Sequence, residues 1–208
     1  MKVLLINGSP RVDGCTYTAL REVANELEKE NIETEIFHVG NKPIRGCIGC
    51  GACYKTGSGK CIFNDDTVNI GLEKAKEADA FVFGSPVHYA SASGLITSFL
   101  DRFFYAGDGF QYKPGAAVVS CRRSGSTATF EQLNKYFTIS NMPVVSSQYW
   151  NAVHGNTPEE VKQDLEGMQT MRTLGKNMAW LLKSIKAGRE AGIPLPEKEE
   201  RVGTNFIR

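Results

Sequence analysis

The residues with the most distinctive chemistry are four cysteines in a glycine-rich stretch. Cys47, Cys50 and Cys53 are separated by two residues each, and Cys61 follows after seven more. Two-residue gaps allow successive thiolates to approach one soft centre, and the nearby glycines allow backbone N–H groups to reach the sulfurs. The spacing is close to a [4Fe–4S] ligand run, although the fourth cysteine comes later and Ile62, not proline, follows it. Zn²⁺, a redox disulfide and a loop of free thiols are the alternatives that the spacing leaves open.

A turn near the start of the chain has the composition of an anion-binding loop. The apolar run 3–6 predicts a strand, and the turn over 8–16 leads from it into a predicted helix. Ser9 and Thr16 add hydroxyl donors and Arg11 adds positive charge where the helix dipole favours an anion. The turn lacks GxGxxG and the lysine of a triphosphate-binding loop, so it suits a phosphate monoester better than a triphosphate. A plain capped turn is the alternative, because these residue types are common in turns.

Two further loops follow predicted buried strands. Residues 84–91 read Gly-Ser-Pro-Val-His-Tyr-Ala-Ser, and their apolar and aromatic side chains suit the wall of a flat ring. His88 is a candidate proton donor, with a plain polar contact as the alternative. Arg122 and Arg123, in the third loop over 120–126, suit an anionic ring edge or the phosphate of a second cofactor. The alternative for this arginine pair is solvated charge.

Strand and helix signals alternate along the chain, which is typical of a parallel sheet with helices on both faces. The predicted strands are 3–6, 33–39, 80–83, 116–120 and a segment near 142–145, and the last predicted helix is 157–185. A connection over about 41–64, which contains the four cysteines, interrupts the alternation. Right-handed crossovers predict an α/β, flavodoxin-like, doubly wound five-stranded parallel sheet of order 2-1-3-4-5. Ligands of such sheets bind beyond the carboxyl ends of the strands, where the three loops lie.

The three loops together resemble the NADPH-dependent FMN reductase family of the flavodoxin-like superfamily. The resemblance rests on 8–16, 84–91 and 120–125, with Gln-Tyr-Trp-Asn at 148–151, and it spans essentially the whole chain. It implies an FMN cofactor with its phosphate in the first loop and its ring between the other two. The implied ligands are Ser9, Arg11, Cys15 and Thr16 at the phosphate, Pro86, Val87, His88 and Tyr89 at the ring, and Ser120, Arg122, Arg123 and Ser124 near its pyrimidine edge. Cys15 departs from the family pattern, because relatives often have asparagine there.

The cysteine motif is similar to that of archaeal and anaerobic iron–sulfur flavoproteins, which belong to the same superfamily. This resemblance implies a [4Fe–4S] cluster on Cys47, Cys50, Cys53 and Cys61 beside the FMN. Related reductases also keep a similar loop without a cluster. Cys121 lies outside the spacing and is interpreted as a small core residue.

Composition and charge exclude several classes of function. A net charge of +1 offers no basic surface for nucleic acid, and no apolar run approaches the length of a membrane span. The apolar start is too short for a signal peptide, so we expect a cytoplasmic protein whose cysteines are reduced thiols, metal ligands or redox groups and not structural disulfides. We expect one domain over 1–187 and a tail over 188–208 that packs on the domain or on a neighbouring subunit. The tail and the connection over about 41–64, which we call the cysteine loop, have the character of contact surfaces. We therefore expect a homo-oligomer, a dimer or tetramer.

A flavin brings its own redox chemistry, so no protein nucleophile is required and His88 is the sole candidate for a further catalytic group. The preferred hypothesis is an FMN-dependent oxidoreductase that accepts electrons from NAD(P)H and passes them to a small molecule such as a quinone or flavin. The alternative is an iron–sulfur flavoprotein that carries electrons between a ferredoxin-like donor and acceptor proteins.

Overall fold

The computed structural model describes residues 1–200 and 202–204. Over these residues the chain forms the strands β1 (Lys2–Asn7), β2 (Glu33–His38), β3 (Ala80–His88), β4 (Ser91–Ala92), β5 (Gly115–Cys121) and β6 (Ala152–His154). Five of them form a parallel sheet of order β2-β1-β3-β5-β6, and β4 pairs antiparallel with the end of β3. Counted in parallel strands this is the order 2-1-3-4-5, so the predicted flavodoxin-like topology is confirmed.

Helices cover both faces of the sheet. Their bounds are α1 (Cys15–Lys29), α2 (Ala52–Thr56), α3 (Val68–Ala75), α4 (Gly94–Ala106), α5 (Ser126–Ile139), α6 (Pro158–Gln163) and α7 (Leu165–Glu190). The core has two layers, one between the sheet and α1 and α7, and the other between the sheet and α3, α4 and α5. None of the helices within the described residues is both long and apolar enough to cross a membrane.

The central strand β1 shows why its sequence is apolar without alternation. Successive side chains of a strand point to opposite faces. Val3 and Leu5 therefore pack into the layer of α1 and α7, and Leu4 and Ile6 pack into the layer of α3 and α4. All four are completely buried, and each contributes about 1.5–3 kcal/mol of apolar burial.

The last parallel strand differs from its predicted position. Residues 142–145 make only an isolated bridge, between Gly115 and Val144, and the strand itself forms later, at Ala152–His154. The N–H of Gly115 donates to the carbonyl of Pro143 (2.9 Å), and the N–H of Val145 donates to the carbonyl of Gly115 (2.8 Å). Pro143 has no N–H to extend this bridge into a ladder, and the chain leaves the sheet after it. The prediction of a strand near 142–145 was therefore wrong. The later strand places the residues after His154 beside the end of β5.

The predicted helix 157–185 is two helices that meet at Asp164. Its backbone (φ −74°, ψ 80°) is not helical, and its carboxylate accepts from the N–H of Gly167 (2.9 Å) and of His154 (2.7 Å). The second helix continues to Glu190, past the predicted domain end at 187, and residues 193–200 are exposed. The predicted division into domain and tail and the predicted homo-oligomer stay predictions. Residues 201 and 205–208 of that tail lie outside the described residues.

Candidate functional site

The turn between β1 and α1 is organised by Asn7, the fully buried last residue of β1. Its side-chain oxygen accepts from the N–H of Ser9 (3.1 Å), and its amide group donates to the carbonyl of Val12 (3.2 Å) and, more weakly, of Arg11 (3.4 Å). The N–H of Arg11 in turn bonds the hydroxyl oxygen of Ser9 (3.1 Å). The turn backbone at residues 9, 11 and 12 is therefore hydrogen-bonded to the side chain of Asn7.

The first turn of α1 has the features of an anion site. Gly14 precedes the helix without a capping side chain, and the first turn contains no acidic residue. The first N–H groups of a helix have no intrahelical partner and carry the positive end of its dipole. Thr16 is buried there, and its hydroxyl lies 2.8 Å from that of Ser120 at the end of β5. Uncapped N–H groups and two buried hydroxyls are suitable ligands for a phosphate monoester.

The turn after β1 and the carboxyl ends of β3 and β5 line one cavity of about 280 Å³, which we call the loop cavity. The predicted loop 84–91 is strand as far as His88, because β3 continues past residue 83 to pair with β4. Nine of the twelve predicted cofactor ligands line the loop cavity. They are Ser9, Arg11, Cys15, Thr16, Pro86, Val87, His88, Ser120 and Arg122. Their arrangement follows from the strand order, which brings the carboxyl ends of β1, β3 and β5 together.

Three predicted ligands do not line the loop cavity. Tyr89 stands fully exposed at the tip of the hairpin between β3 and β4, with a φ of 62° that is uncommon for a bulky side chain. Arg123 and Ser124 are exposed in the turn before α5 and lie outside the lining. The arginine pair is thus divided, with Arg122 at the cavity and Arg123 away from it.

Other residues of the loop cavity were not predicted. Gly155 and Asn156 reach it from the loop after β6, where the N–H of Gly155 bonds the carbonyl of Cys121 (3.1 Å). This contact could not be foreseen once the last strand was misplaced. The role of Asn7 could have been predicted, because it ends a wholly apolar strand and a buried amide group requires hydrogen-bond partners.

Burial disfavours the thiolate form of two thiols at this cavity. Burial raises the pKa of Cys15 and of Cys121 above the usual thiol range. The thiol of Cys15 donates to the carbonyl of Gly155 (3.7 Å) and thereby joins α1 to the loop after β6. Cys121 is buried at the end of β5 and lines the cavity, so it is more than the core residue that was predicted.

The four spaced cysteines line a second cavity of about 420 Å³, which we call the cysteine cavity. Cys47 and Cys50 are exposed, and Cys53 and Cys61 are half-buried. Gly49 and Gly51 adopt left-handed φ values of 64° and 67° that allow this tight path. The N–H of Gly49 also points at the sulfur of Cys47 (3.5 Å).

The thiols surround the cavity without converging on a point. All six cysteines are free thiols. Among the residues that the structure describes, no three Cys, His, Asp or Glu side chains form a ligand set for one metal ion. Each cysteine of a [4Fe–4S] cluster binds a different iron, so four soft donors around a wide cavity fit a cluster better than one Zn²⁺.

The two cavities have no lining residue in common. The loop cavity lies near the start of α4, where the hydroxyl of Ser93 donates to the carbonyl of Gly8 (2.7 Å). The cysteine cavity lies against its last two turns, at Arg102 and Tyr105. Arg102 lies eight residues after Gly94 in α4, so the two cavities adjoin parts of this helix that are about 12 Å apart along its axis.

The chain is similar to known flavoproteins over most of its length. The family model for NADPH-dependent FMN reductase matches residues 1–157. An iron-sulfur flavoprotein of Methanocaldococcus jannaschii is 38% identical over 195 residues, which cover 89% of this chain and 100% of the relative. One of Methanosarcina thermophila is 28% identical over 197 residues, with 91% and 100% covered.

Solved structures show the same fold. RosB with a bound 8-demethyl-8-formylriboflavin-5'-phosphate intermediate matches with a TM-score of 0.68 and 17% identity, over 100% of this chain and 94% of RosB. A flavodoxin from the domain Archaea matches with a TM-score of 0.59 and 18% identity, over 88% and 99% of the two chains. The chain is therefore an FMN-binding flavoprotein that belongs to the NADPH-dependent FMN reductase family.

Proposed function

We propose that the protein is an electron-transfer oxidoreductase with two redox centres, FMN in the loop cavity and a [4Fe–4S] cluster on Cys47, Cys50, Cys53 and Cys61. The observation that carries this proposal is that all four cysteines line one cavity that is separate from the loop cavity. A chain in which the cysteine motif were only a packed loop would have no need of four thiols around an open space. The names of the relatives, which are iron-sulfur flavoproteins, support the same assignment.

The residues of the loop cavity have distinct tasks in this proposal. The backbone of the first loop, with Ser9, Arg11 and Thr16, binds the phosphate of FMN. Pro86 and Val87 form the wall on which the ring packs, and the exposed Arg122 faces its polar edge. When bound, FMN exchanges hydride or single electrons with its partners. The chain contributes binding, orientation and positive charge.

The residues of the cysteine cavity hold the cluster as four thiolates. The bond from the N–H of Gly49 to Cys47 is the kind of contact that tunes a cluster's potential. Cys47 and Cys50 are exposed, so an outside donor can approach the cluster on their side.

An anaerobic reconstitution series tests the cluster. Alanine at any one of Cys47, Cys50, Cys53 and Cys61 should remove most of the iron and leave FMN bound, because cluster ligation needs all four thiolates. Iron and sulfide are measured per chain, with the visible spectrum before and after reduction. The matched controls Cys15→Ala and Cys121→Ala should keep the wild-type iron content.

Other outcomes identify the alternatives. A colourless metal that needs the same four cysteines would show Zn²⁺. Variants that fall into two pairs, with thiol counts that change on reduction, would show a disulfide. Wild-type protein that holds neither metal after anaerobic reconstitution would contradict the proposal.

A second function is favoured by the exposure of His88 and Arg122 at the loop cavity, which leaves room for a nicotinamide donor. In this function NAD(P)H reduces the FMN directly and a quinone, a flavin or a similar small molecule reoxidises it. An FMN-dependent NADPH-azoreductase of Staphylococcus saprophyticus is 32% identical over 134 residues, covering 64% of this chain and 66% of the relative.

Stopped-flow mixing separates the two functions. The cluster-free Cys50→Ala protein and the reconstituted wild type are each mixed anaerobically with NADPH, with NADH or with a reduced ferredoxin, and flavin bleaching is followed. Equal, fast bleaching in both proteins indicates the nicotinamide-dependent reductase. Bleaching of the wild type by a reduced ferredoxin, but of neither protein by a nicotinamide, indicates the two-centre carrier.

A further inference from the structure

We propose that Arg102 is a positioning residue of the cysteine cavity. Arg102 holds both ends of the cysteine loop, and it raises the reduction potential of the cluster through a hydrogen bond to Cys61. This inference rests on the proposed cluster. It assigns a role to a residue that lies in the otherwise apolar face of α4 and that neither the cysteine spacing nor the loop cavity accounts for.

The burial of Arg102 is the first observation. Its side chain is 1% exposed, and the other buried residues of α4 are all apolar: Ile96, Phe99, Leu100, Phe103 and Ala106. A buried guanidinium is costly unless its charge is paired and its N–H groups are bonded. An arginine at such a position therefore requires hydrogen-bond acceptors around its guanidinium.

Those partners lie on both sides of the cysteine run. One terminal nitrogen of Arg102 donates to the carbonyl of Arg45 (3.1 Å), two residues before Cys47. The other donates to the carbonyl of Phe63 (3.0 Å), two residues after Cys61. A single side chain therefore ties the start and the end of the cysteine loop to α4.

The remaining two contacts concern charge. The Nε–H of Arg102 donates to the sulfur of Cys61 (3.2 Å), and a terminal nitrogen pairs with the buried carboxylate of Asp66. A cluster gains one negative charge on reduction, so a cationic donor on a ligand sulfur stabilises the reduced form. Asp66 has the opposite effect, but it pairs with a terminal nitrogen of the guanidinium, whereas the sulfur bond is made by Nε–H.

The backbone of Cys61 has a second, independent anchor. Its N–H donates to the side-chain oxygen of Asn69 (2.8 Å), and its carbonyl accepts from the amide of Asn69 (2.9 Å). Changes at Arg102 can therefore remove the bond to sulfur while α3 still holds Cys61. This makes the electrostatic role separable from the structural one.

The test compares two double variants that differ by one hydrogen-bond donor. Arg102→Gln with Asp66→Asn keeps an N–H group at the position of Nε, and Arg102→Met with Asp66→Asn has the same length without a donor. Both remove the charge pair together, so no buried carboxylate is left alone. Each protein is reconstituted anaerobically, its iron is counted, and the cluster potential is measured by mediated redox titration.

We expect a lower cluster potential in the methionine pair than in the glutamine pair. The expected difference is about tenfold in the one-electron equilibrium constant, which is about 59 mV. Equal potentials in two proteins with full iron content would overturn the inference and leave Arg102 as packing, while the proposed cluster would stand. A wild-type protein without a cluster would instead overturn the proposed function and this inference with it.

A single variant keeps the inference testable if the methionine pair loses its iron. Asp66→Asn retains the N–H groups of Arg102 that bond Cys61 and the loop, at the cost of a guanidinium whose charge is no longer paired. The side-chain oxygen of asparagine can still accept a hydrogen bond from the N–H of Val68, as Asp66 does (3.1 Å). Removal of the opposing negative charge should raise the cluster potential above that of the wild type. An unchanged or lowered potential would contradict the proposed electrostatic role of the pair.

Discussion

Replacement of Asn7 by alanine tests whether the first loop is built in advance for its ligand. Asn7 is completely buried and makes three bonds to the turn, of which the one from the N–H of Ser9 is buried. Alanine removes all three and leaves the Ser9 N–H without its partner. No residue that we assign to FMN is changed, so any effect on binding must pass through the shape of the loop.

The magnitude follows from the three bonds. A buried N–H left unsatisfied costs about 1–3 kcal/mol, whereas the carbonyls of the exposed Arg11 and Val12 can turn to water at a cost of about 1 kcal/mol or less. We expect a total of about 2–3 kcal/mol. If the loop keeps its shape without FMN, this loss appears in the free energy of unfolding. If the loop relaxes, a loss of about 2 kcal/mol appears as roughly thirtyfold weaker FMN binding.

The assay measures both terms. Urea unfolding of the FMN-free protein gives the free energy of unfolding, and fluorescence titration with FMN gives the Kd. Asn177→Ala is the matched control, because the Asn177 side chain, on helix α7, donates one hydrogen bond, to the carbonyl of Ser146 (2.8 Å). Unfolding and binding energies that both stay within about 0.5 kcal/mol of the wild type would refute the role assigned to Asn7.

Three further predictions follow from the same structure. Arg122→Ala should lower the two-electron potential of the FMN by roughly tens of millivolts, because a lost charge-assisted bond of about 1.4 kcal/mol corresponds to about 30 mV. Arg123→Ala is the control, because the side chain of Arg123 lies outside the loop cavity. Equal shifts of the potential in the two variants would argue against the assignment of Arg122 to the flavin. Thr16→Val removes the hydroxyl that contacts Ser120 (2.8 Å) at nearly constant shape, and titration should show FMN affinity reduced about tenfold, whereas wild-type affinity would place the phosphate elsewhere. Gly8→Ala would put a methyl group 2.5 Å from a buried isoleucine of α4, so thermal unfolding should show a loss of about 1–3 kcal/mol, and an unchanged Tm would mean that the helix shifts freely.

Much of the fold could be predicted from local patterns. The wholly apolar run that became β1 indicated a strand buried on both faces, and the alternation of strands and helices led to the observed strand order. These signals are readable because period and burial act on neighbouring residues. The last strand was misplaced, since Val144 and Val145 have the composition of a strand while Pro143 prevents a ladder there.

The loop cavity was predicted in part for the same reason. Ser9 and Thr16 follow a strand and begin a helix, so their place at the carboxyl edge follows from chain order and topology. Tyr89 and Arg123 belong to the right loops but do not line the cavity, because a hairpin tip and a turn direct them elsewhere. A loop can be assigned from sequence, but the direction of each side chain depends on backbone angles that only the fold determines.

The sequence by itself determined the residue types and their spacing: four cysteines within 47–61 and a turn with Ser9, Arg11 and Thr16 after the first strand. Only the tertiary structure decided which distant groups join them. The carbonyl of Gly155, in the loop after β6, accepts from the thiol of Cys15. Arg102 is a charged residue in an apolar helix face in the sequence, and in the structure its Nε–H donates to the sulfur of Cys61. The physical reason is that spacing along the chain is set by covalent geometry, whereas these contacts depend on how the helices pack on the sheet.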